Sequence, residues 1–201
     1  MSRLKSPLIL FLVNIVVIAL IALFGPEDIA LGANVRIVYL HGAWVLTAEI
    51  VFALAGVAGF LALLRPRPQL DSWSAALGRT GTFFWVTYLP LSLWAMETNW
   101  NGLFLAEPRF RLALTFAVVA VLMQAGLWLL AKPAYTSAAN ALFAMTLYYA
   151  FSRAADVMHP PPSPIFNSGN YTIIGFFVGL NLLTWLAAYF LTRWFLSLSR
   201  K

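Results

Sequence analysis

The chain has 201 residues, of which 62% are hydrophobic and only 10% charged, with a net charge of +6 and a mean hydropathy of +0.82. That balance excludes a soluble domain of this size and indicates an integral membrane protein. Cysteine is absent, which removes disulfides, thiolate metal sites and cysteine nucleophiles together.

A hydrocarbon core of about 30 Å needs roughly 20 apolar residues per crossing helix. Six runs meet that need: 7–24, 37–64, 72–96, 110–131, 134–158 and 172–196. The expected fold is an all-α bundle of six transmembrane helices, a single domain over 1–201 with short connections. The first run follows "MSRLK" and has the cationic start of a signal peptide, but its apolar part is too long for one and reads as an uncleaved helix. Breaks follow at "FGPED", "RPRPQLD", "AKPAY" and "HPPPSPIFNSGN", where Pro and Gly stop helices. Pro90 falls inside the third run and is expected to kink it. In the outer loop, 97–109, Glu107-Pro108 is an expected helix start whose positive dipole end faces the loop, and beside Arg109 and Arg111 it is a place where an anion could dock.

Orientation follows from the bias of Lys and Arg toward the cytoplasm. With both termini cytoplasmic, Arg3, Lys5, Arg65, Arg67, Arg79, Lys132, Arg193, Arg200 and Lys201 lie inside, against Arg36, Arg109, Arg111 and Arg153 outside. The net charge then faces anionic lipid, and no basic surface interleaved with aromatics points to nucleic acid.

Only two histidines exist, and both fall near the outer ends of expected helices. His41 shares a helical face with Trp44, Ala48, Phe52, Ala55 and Gly59, a stripe whose small residues admit either a flat ligand or another helix. His159 shares its face with Asp156, Ser152, Tyr148 and Met145, and Asp156 stands one turn away, placed to accept from the imidazole N–H. Two neutral imidazoles converging from two helices supply the axial ligands of a haem iron, and arginines suit its propionates. The alternative for either histidine is an ordinary interfacial polar residue. Glu49 lies about 12 Å deeper than His41 along the helix, either a functional acid or a carboxyl packed against a neighbouring helix. Arg153 and Asp156 read as a local ion pair, and Asn14, Gln124, Asn140 and Asn181 as polar glue between helices.

With these histidines placed, "WNGLFLAEPR", 100–109, resembles the tryptophan-rich outer loop of the cytochrome c assembly family of haem-handling membrane proteins, the CcmC and CcsA type. Trp100 matches the leading tryptophan, and Phe104 and Ala106 stand where further tryptophans are usual. Glu107 replaces an aspartate, and Pro108-Arg109 matches the basic end. "YLHGAW" resembles the first-histidine segment, and "VMHPPPSPI" occupies the position of the second. The resemblance covers roughly 36–185. It implies haem b held between His41 and His159 near the outer face of a bacterial-type inner (cytoplasmic) membrane. Trp44, Trp100 and Phe104 would lie around the porphyrin, Glu107 and Asp156 would support the site, and Arg109 and Arg111 would meet the propionates. Membrane lipid and other membrane subunits of a haem-handling or redox complex are the implied partners.

Three readings stand side by side: haem delivery or export, a haem-bearing subunit of a larger electron-transfer complex, and a cofactor-free accessory subunit. An ordinary enzyme is not expected, because the chain shows neither a Ser/His/Asp set nor a phosphate-cradling glycine loop.

Overall fold

The computed structural model describes residues 6–155, 157 and 164–198. Six α-helices make up the described chain: α1 Pro7–Leu23, α2 Val35–Leu64, α3 Pro68–Trp100, α4 Pro108–Leu130, α5 Pro133–Ser152 and α6 Tyr171–Leu198. Among the described residues the only β pairing is an isolated bridge between Asp28 and Gly32.

Proline opens four of these helices. Pro7, Pro68, Pro108 and Pro133 each sit in a first turn, where the missing N–H has no intrahelical partner to lose. Two helices close on left-handed residues, α3 on Asn101 (φ 57°) and α4 on Ala131 (φ 49°).

Several ends differ from those expected. α3 runs on to Trp100, because Thr98 Oγ1 and the Asn99 amide donate to the carbonyls of Trp94 and Ala95 and hold the last turn until Asn101 and Gly102 reverse the chain. The connection between α3 and α4 is therefore 101–107, and Trp100 belongs to a helix. α5 stops at Ser152 instead of 158, where the Arg153 and Ala154 N–H groups turn to the carbonyls of Ala150 and Phe151, tightening the helix into a 3₁₀-like exit. Pro90 is accommodated within a continuous α3.

Three helices, α2, α4 and α6, are long and apolar enough to cross a membrane, and α1 is a shorter apolar helix. α3 and α5 interrupt their apolar residues with Asp71, Arg79 and Thr80, and with Thr136, Ser137 and Asn140.

Successive helices alternate in direction, so the bundle has two ends. At one, the Asn34 amide donates to the Thr98 carbonyl, Arg36 Nε donates to the Gly25 carbonyl, and Arg36 pairs with Glu27 at 3.2 Å. This is the His41 end. The other end carries Arg65 and Arg67 between α2 and α3, with Arg193 near the close of α6.

α2 is the central helix, packed against α1, α3, α5 and α6, whereas α4 touches only α3 and α5. The pattern of buried residues explains this. α2 buries Ala43, Ala48, Ala55, Gly56, Gly59 and Ala62 among larger side chains, and such small residues let helices approach closely. A Cβ on Gly56 would lie 2.6 Å from that of Ala144, and one on Gly59 would fall against the Ser137 carbonyl, both on α5. α4 buries a single stripe, Phe110, Ala113, Ala117 and Ala120, at the spacing of one helix face.

Polar side chains stitch the helices together. Asn14 Nδ2 donates to the Leu183 carbonyl between α1 and α6, and threonine pairs at 2.8 and 2.9 Å, Thr47 with Thr184 and Thr80 with Thr192, tie α6 to α2 and α3. Gln124 donates to Asn140 Oδ1, and Asn140 donates to the Ser74 carbonyl and hydroxyl. Of the four expected glue residues, Asn181 alone turns to its own helix, donating to the Phe177 carbonyl.

Candidate functional site

His41 stands in the second turn of α2, half-buried, with its Nδ1 out of reach of solvent. Its ring lies 5.7 Å from that of Tyr88 on α3, tilted by 49°. Tyr88 is 4% exposed and meets Trp85 edge-on at 5.2 Å; Trp85 in turn meets Phe151 of α5 at 5.5 Å. The Trp85 indole N–H donates to the Ala113 carbonyl at 3.0 Å, so α4 is anchored to the same aromatic column. One wall of His41 is thus built by residues from three helices, and a buried aromatic column of this kind holds its members in fixed orientations.

Glu49 and Glu107 lie within electrostatic range of Tyr88, and Arg109 lies within range of Glu49. Glu49 is half-buried on α2, and its backbone carbonyl accepts from the Tyr148 hydroxyl of α5 at 2.9 Å. Tyr88 thus touches His41 across the α2–α3 seam, and Tyr148 of α5 reaches the backbone of Glu49. Ionisable groups so placed in a membrane bundle are costly to keep and mark functional sites.

The residues expected from sequence divide into distinct settings. Trp44 is 7% exposed in the seam of α2 and α3, its ring 5.0 Å from Phe84 and its indole N–H donating to Thr87 Oγ1 at 2.8 Å. The rest of its stripe, Ala48, Phe52, Ala55 and Gly59, is buried against neighbouring helices, so a helix, not a flat ligand, takes that face. Glu107 is 6% exposed and caps α4, accepting the Phe110 N–H. That helix start is already supplied with a carboxylate. Arg109 is half-buried in the first turn of α4, while Arg111 is exposed; Trp100 is half-buried and Phe104 is 52% exposed on the connection.

His159 and Asp156 lie outside the described residues, and with Asp156 the expected pair with Arg153 does too. Arg153 itself stacks over the Tyr149 ring at 5.5 Å. The described flanks reach the His41 neighbourhood from both sides. Phe151 packs on Trp85, and buried Ile165 lies 3.9 Å from where a Cβ on Gly42 would be, the residue after His41.

Sequence reasoning missed Tyr88, and it placed Tyr148 on the face of His159 without its bond to the Glu49 carbonyl. Each is a hydroxyl-bearing aromatic inside an apolar run, a pattern shared with plain interface anchors. What distinguishes them is the partner across the helix seam, and no spacing within one helix encodes it.

Among the described residues no three His, Cys, Asp or Glu side chains come together in a group that could hold a metal ion directly. A haem makes a smaller demand, one imidazole on each side of the ring plane with cations for its propionates. The described residues contribute one imidazole to such a set, His41, and the first turn of α4 carries Arg109 and Arg111. Comparison with protein-family models, with curated proteins and with solved structures finds no match to this chain.

Proposed function

We propose that this chain is a six-span membrane protein that holds haem b at the His41 end of its bundle for delivery or export, as the resemblance to the cytochrome c assembly family implies. His41 and His159 would hold the haem iron, Arg109 and Arg111 would neutralise the propionates, and Trp100 and Phe104 would pack beside the porphyrin. The distribution of Lys and Arg supports cytoplasmic termini in a bacterial-type inner membrane, with the site at the outer face.

The observation that carries this reading is the setting of His41. It is the one histidine of the described chain, half-buried at a bundle end and backed by the Tyr88 ring. Haem supplies the redox-active, ligand-binding iron when bound. The protein's part is to fix two imidazoles, compensate the carboxylates and leave one edge accessible. Trp44 does not serve that edge, since its ring and N–H are engaged between α2 and α3.

The test is an absorption spectrum of detergent-purified protein from haem-replete cells, oxidised and reduced. A bis-histidine, low-spin spectrum is expected, with at least half of the haem lost in His41→Ala and in His159→Ala. A colourless protein, or a haem spectrum unchanged in both variants, would sink the reading.

Glu49 favours a second reading, a haem-bearing subunit of a larger membrane electron-transfer complex. An acid grouped with Tyr88, Tyr148 and Arg109 can carry protons alongside electrons. Haem that reduces and reoxidises without leaving the protein, in the presence of an apo-acceptor, would favour this version over delivery.

A further inference from the structure

At the opposite end from His41, a groove of about 510 Å³ opens on the flank of the bundle between α2, the start of α3 and α6. Its walls include Leu54, Leu61, Leu70, Trp73, Trp185 and Tyr189. The volume lies in the range of small-molecule sites, about 300–1,000 Å³. Along α2 it extends from Ile50 to Leu61, about 16 Å at the helical rise, which matches the roughly 15 Å depth of one leaflet of the hydrocarbon core. A lipid-facing recess of this composition has no use for water, since almost no polar group is there to bind it.

The groove ends in positive charge. Tyr189 is both a wall of the groove and the seat of Arg193, whose guanidinium lies 5.7 Å from the Tyr189 ring centroid and whose Nη1 donates to the Tyr189 hydroxyl at 2.8 Å. Two exposed arginines, Arg65 and Arg67, lie on the connection between Leu61 and Leu70, themselves wall residues. Asp71, in the same turn as Leu70, is directed away to α5, where it accepts from Ser137 Oγ at 2.6 Å. Arg193 itself lines a neighbouring recess with Pro7, Leu10 and Phe190, and Tyr189 borders both. An apolar slot one leaflet deep, with Arg193 bound to one wall residue and Arg65 and Arg67 between two others, complements a phospholipid, apolar chain below and phosphate above. Arginine is the cation best shaped for phosphate.

We propose that this groove binds one acyl chain of an anionic phospholipid whose phosphate is held by Arg193 together with Arg65 and Arg67. The site is separate from His41 and holds whichever reading of that end is correct.

The experiment is native mass spectrometry of the detergent-purified full chain titrated with phosphatidylglycerol and, in parallel, phosphatidylcholine. One phosphatidylglycerol is expected to bind per chain at a concentration at least fivefold below phosphatidylcholine. Arg193→Gln with Arg65→Gln should remove most of that preference while leaving phosphatidylcholine binding unchanged. Leu54→Trp, which fills the slot from a lipid-exposed position, should weaken both lipids at least tenfold; Val57→Trp, at another exposed wall position, serves if the first variant does not fold. Inorganic phosphate at millimolar concentration should not displace the lipid. Equal binding of the two lipids, an undiminished preference in the arginine variant, wild-type binding with the slot filled, or displacement by phosphate alone each overturns the proposal.

Discussion

The bundle carries polar side chains toward both ends, and they are used in different ways. Toward the Arg65 end, Asp71, Ser74, Gln124, Ser137 and Asn140 form a closed latch across α3, α4 and α5. Asn140 alone makes three hydrogen bonds at 2.9 to 3.1 Å. At the His41 end the polar groups are ionisable, Tyr88 touches His41 and lies within electrostatic range of Glu49 and Glu107, and Phe104 and Arg111 are exposed. A satisfied, buried network fixes one packing; a charged cluster at a half-open edge does little for packing and is retained for chemistry. Substitutions in the latch should therefore move stability and leave any haem spectrum alone, and substitutions around His41 should do the reverse.

The largest effect is expected at Gly59. A methyl there meets the Ser137 carbonyl, a backbone atom that moves only if α2 and α5 separate. Overpacking of this kind costs about 1–3 kcal/mol, and rigid backbone on the other side puts Gly59→Ala toward the top of that range. Gly126→Ala on α4 is the matched control, because nothing lies within 4 Å of the new methyl. Denaturant titration in detergent should show a clear loss for the first and none for the second. Equal midpoints would mean that α2 and α5 are not in close backbone contact.

Next comes Asn140→Leu. It leaves the Gln124 amide N–H without its acceptor in an apolar setting, while the Ser74 hydroxyl keeps its bond to the Ala55 carbonyl, at a cost of about 1–2 kcal/mol. The same titration reads it, and the haem spectrum should be unaltered. A spectral change would dissolve the contrast between the two ends.

How much of this was legible in the sequence follows from the range over which each feature is determined. Apolar runs are local, so six helices and their order can be read directly, whereas the starts at Pro68 and Pro133 precede the expected 72 and 134 because prolines read as breaks also open helices. Ends set by weaker local chemistry shift. Trp100 reads as loop because the helix-holding bonds of Thr98 and Asn99 have no signature in hydropathy. That Asn14, Gln124 and Asn140 join helices is legible from polarity in an apolar run, but their partners Leu183 and Ser74 depend on which helices touch. The His41 stripe shows the same limit. Its small residues read equally well as a ligand face or a helix face, and only the position of α5 against Gly56 and Gly59 decides for the helix.

The smallest stability effect, and the one that most sharpens the contrast, belongs to Glu107. It has a place in both descriptions, as the cap that accepts the Phe110 N–H and as a charge beside Tyr88. Loss of an N-cap acceptor costs about 1 kcal/mol, so Glu107→Ala should lower stability by roughly that amount. Glu107→Gln keeps an acceptor oxygen and discards the charge, and should recover most of the loss. If the carboxylate also tunes the environment of His41, the glutamine variant will still shift the reduction midpoint of the bound haem although its stability is near that of the parent. If instead both the midpoint and the stability return with glutamine, Glu107 is a cap and nothing more, and the functional cluster contracts to His41, Glu49, Tyr88 and Arg109.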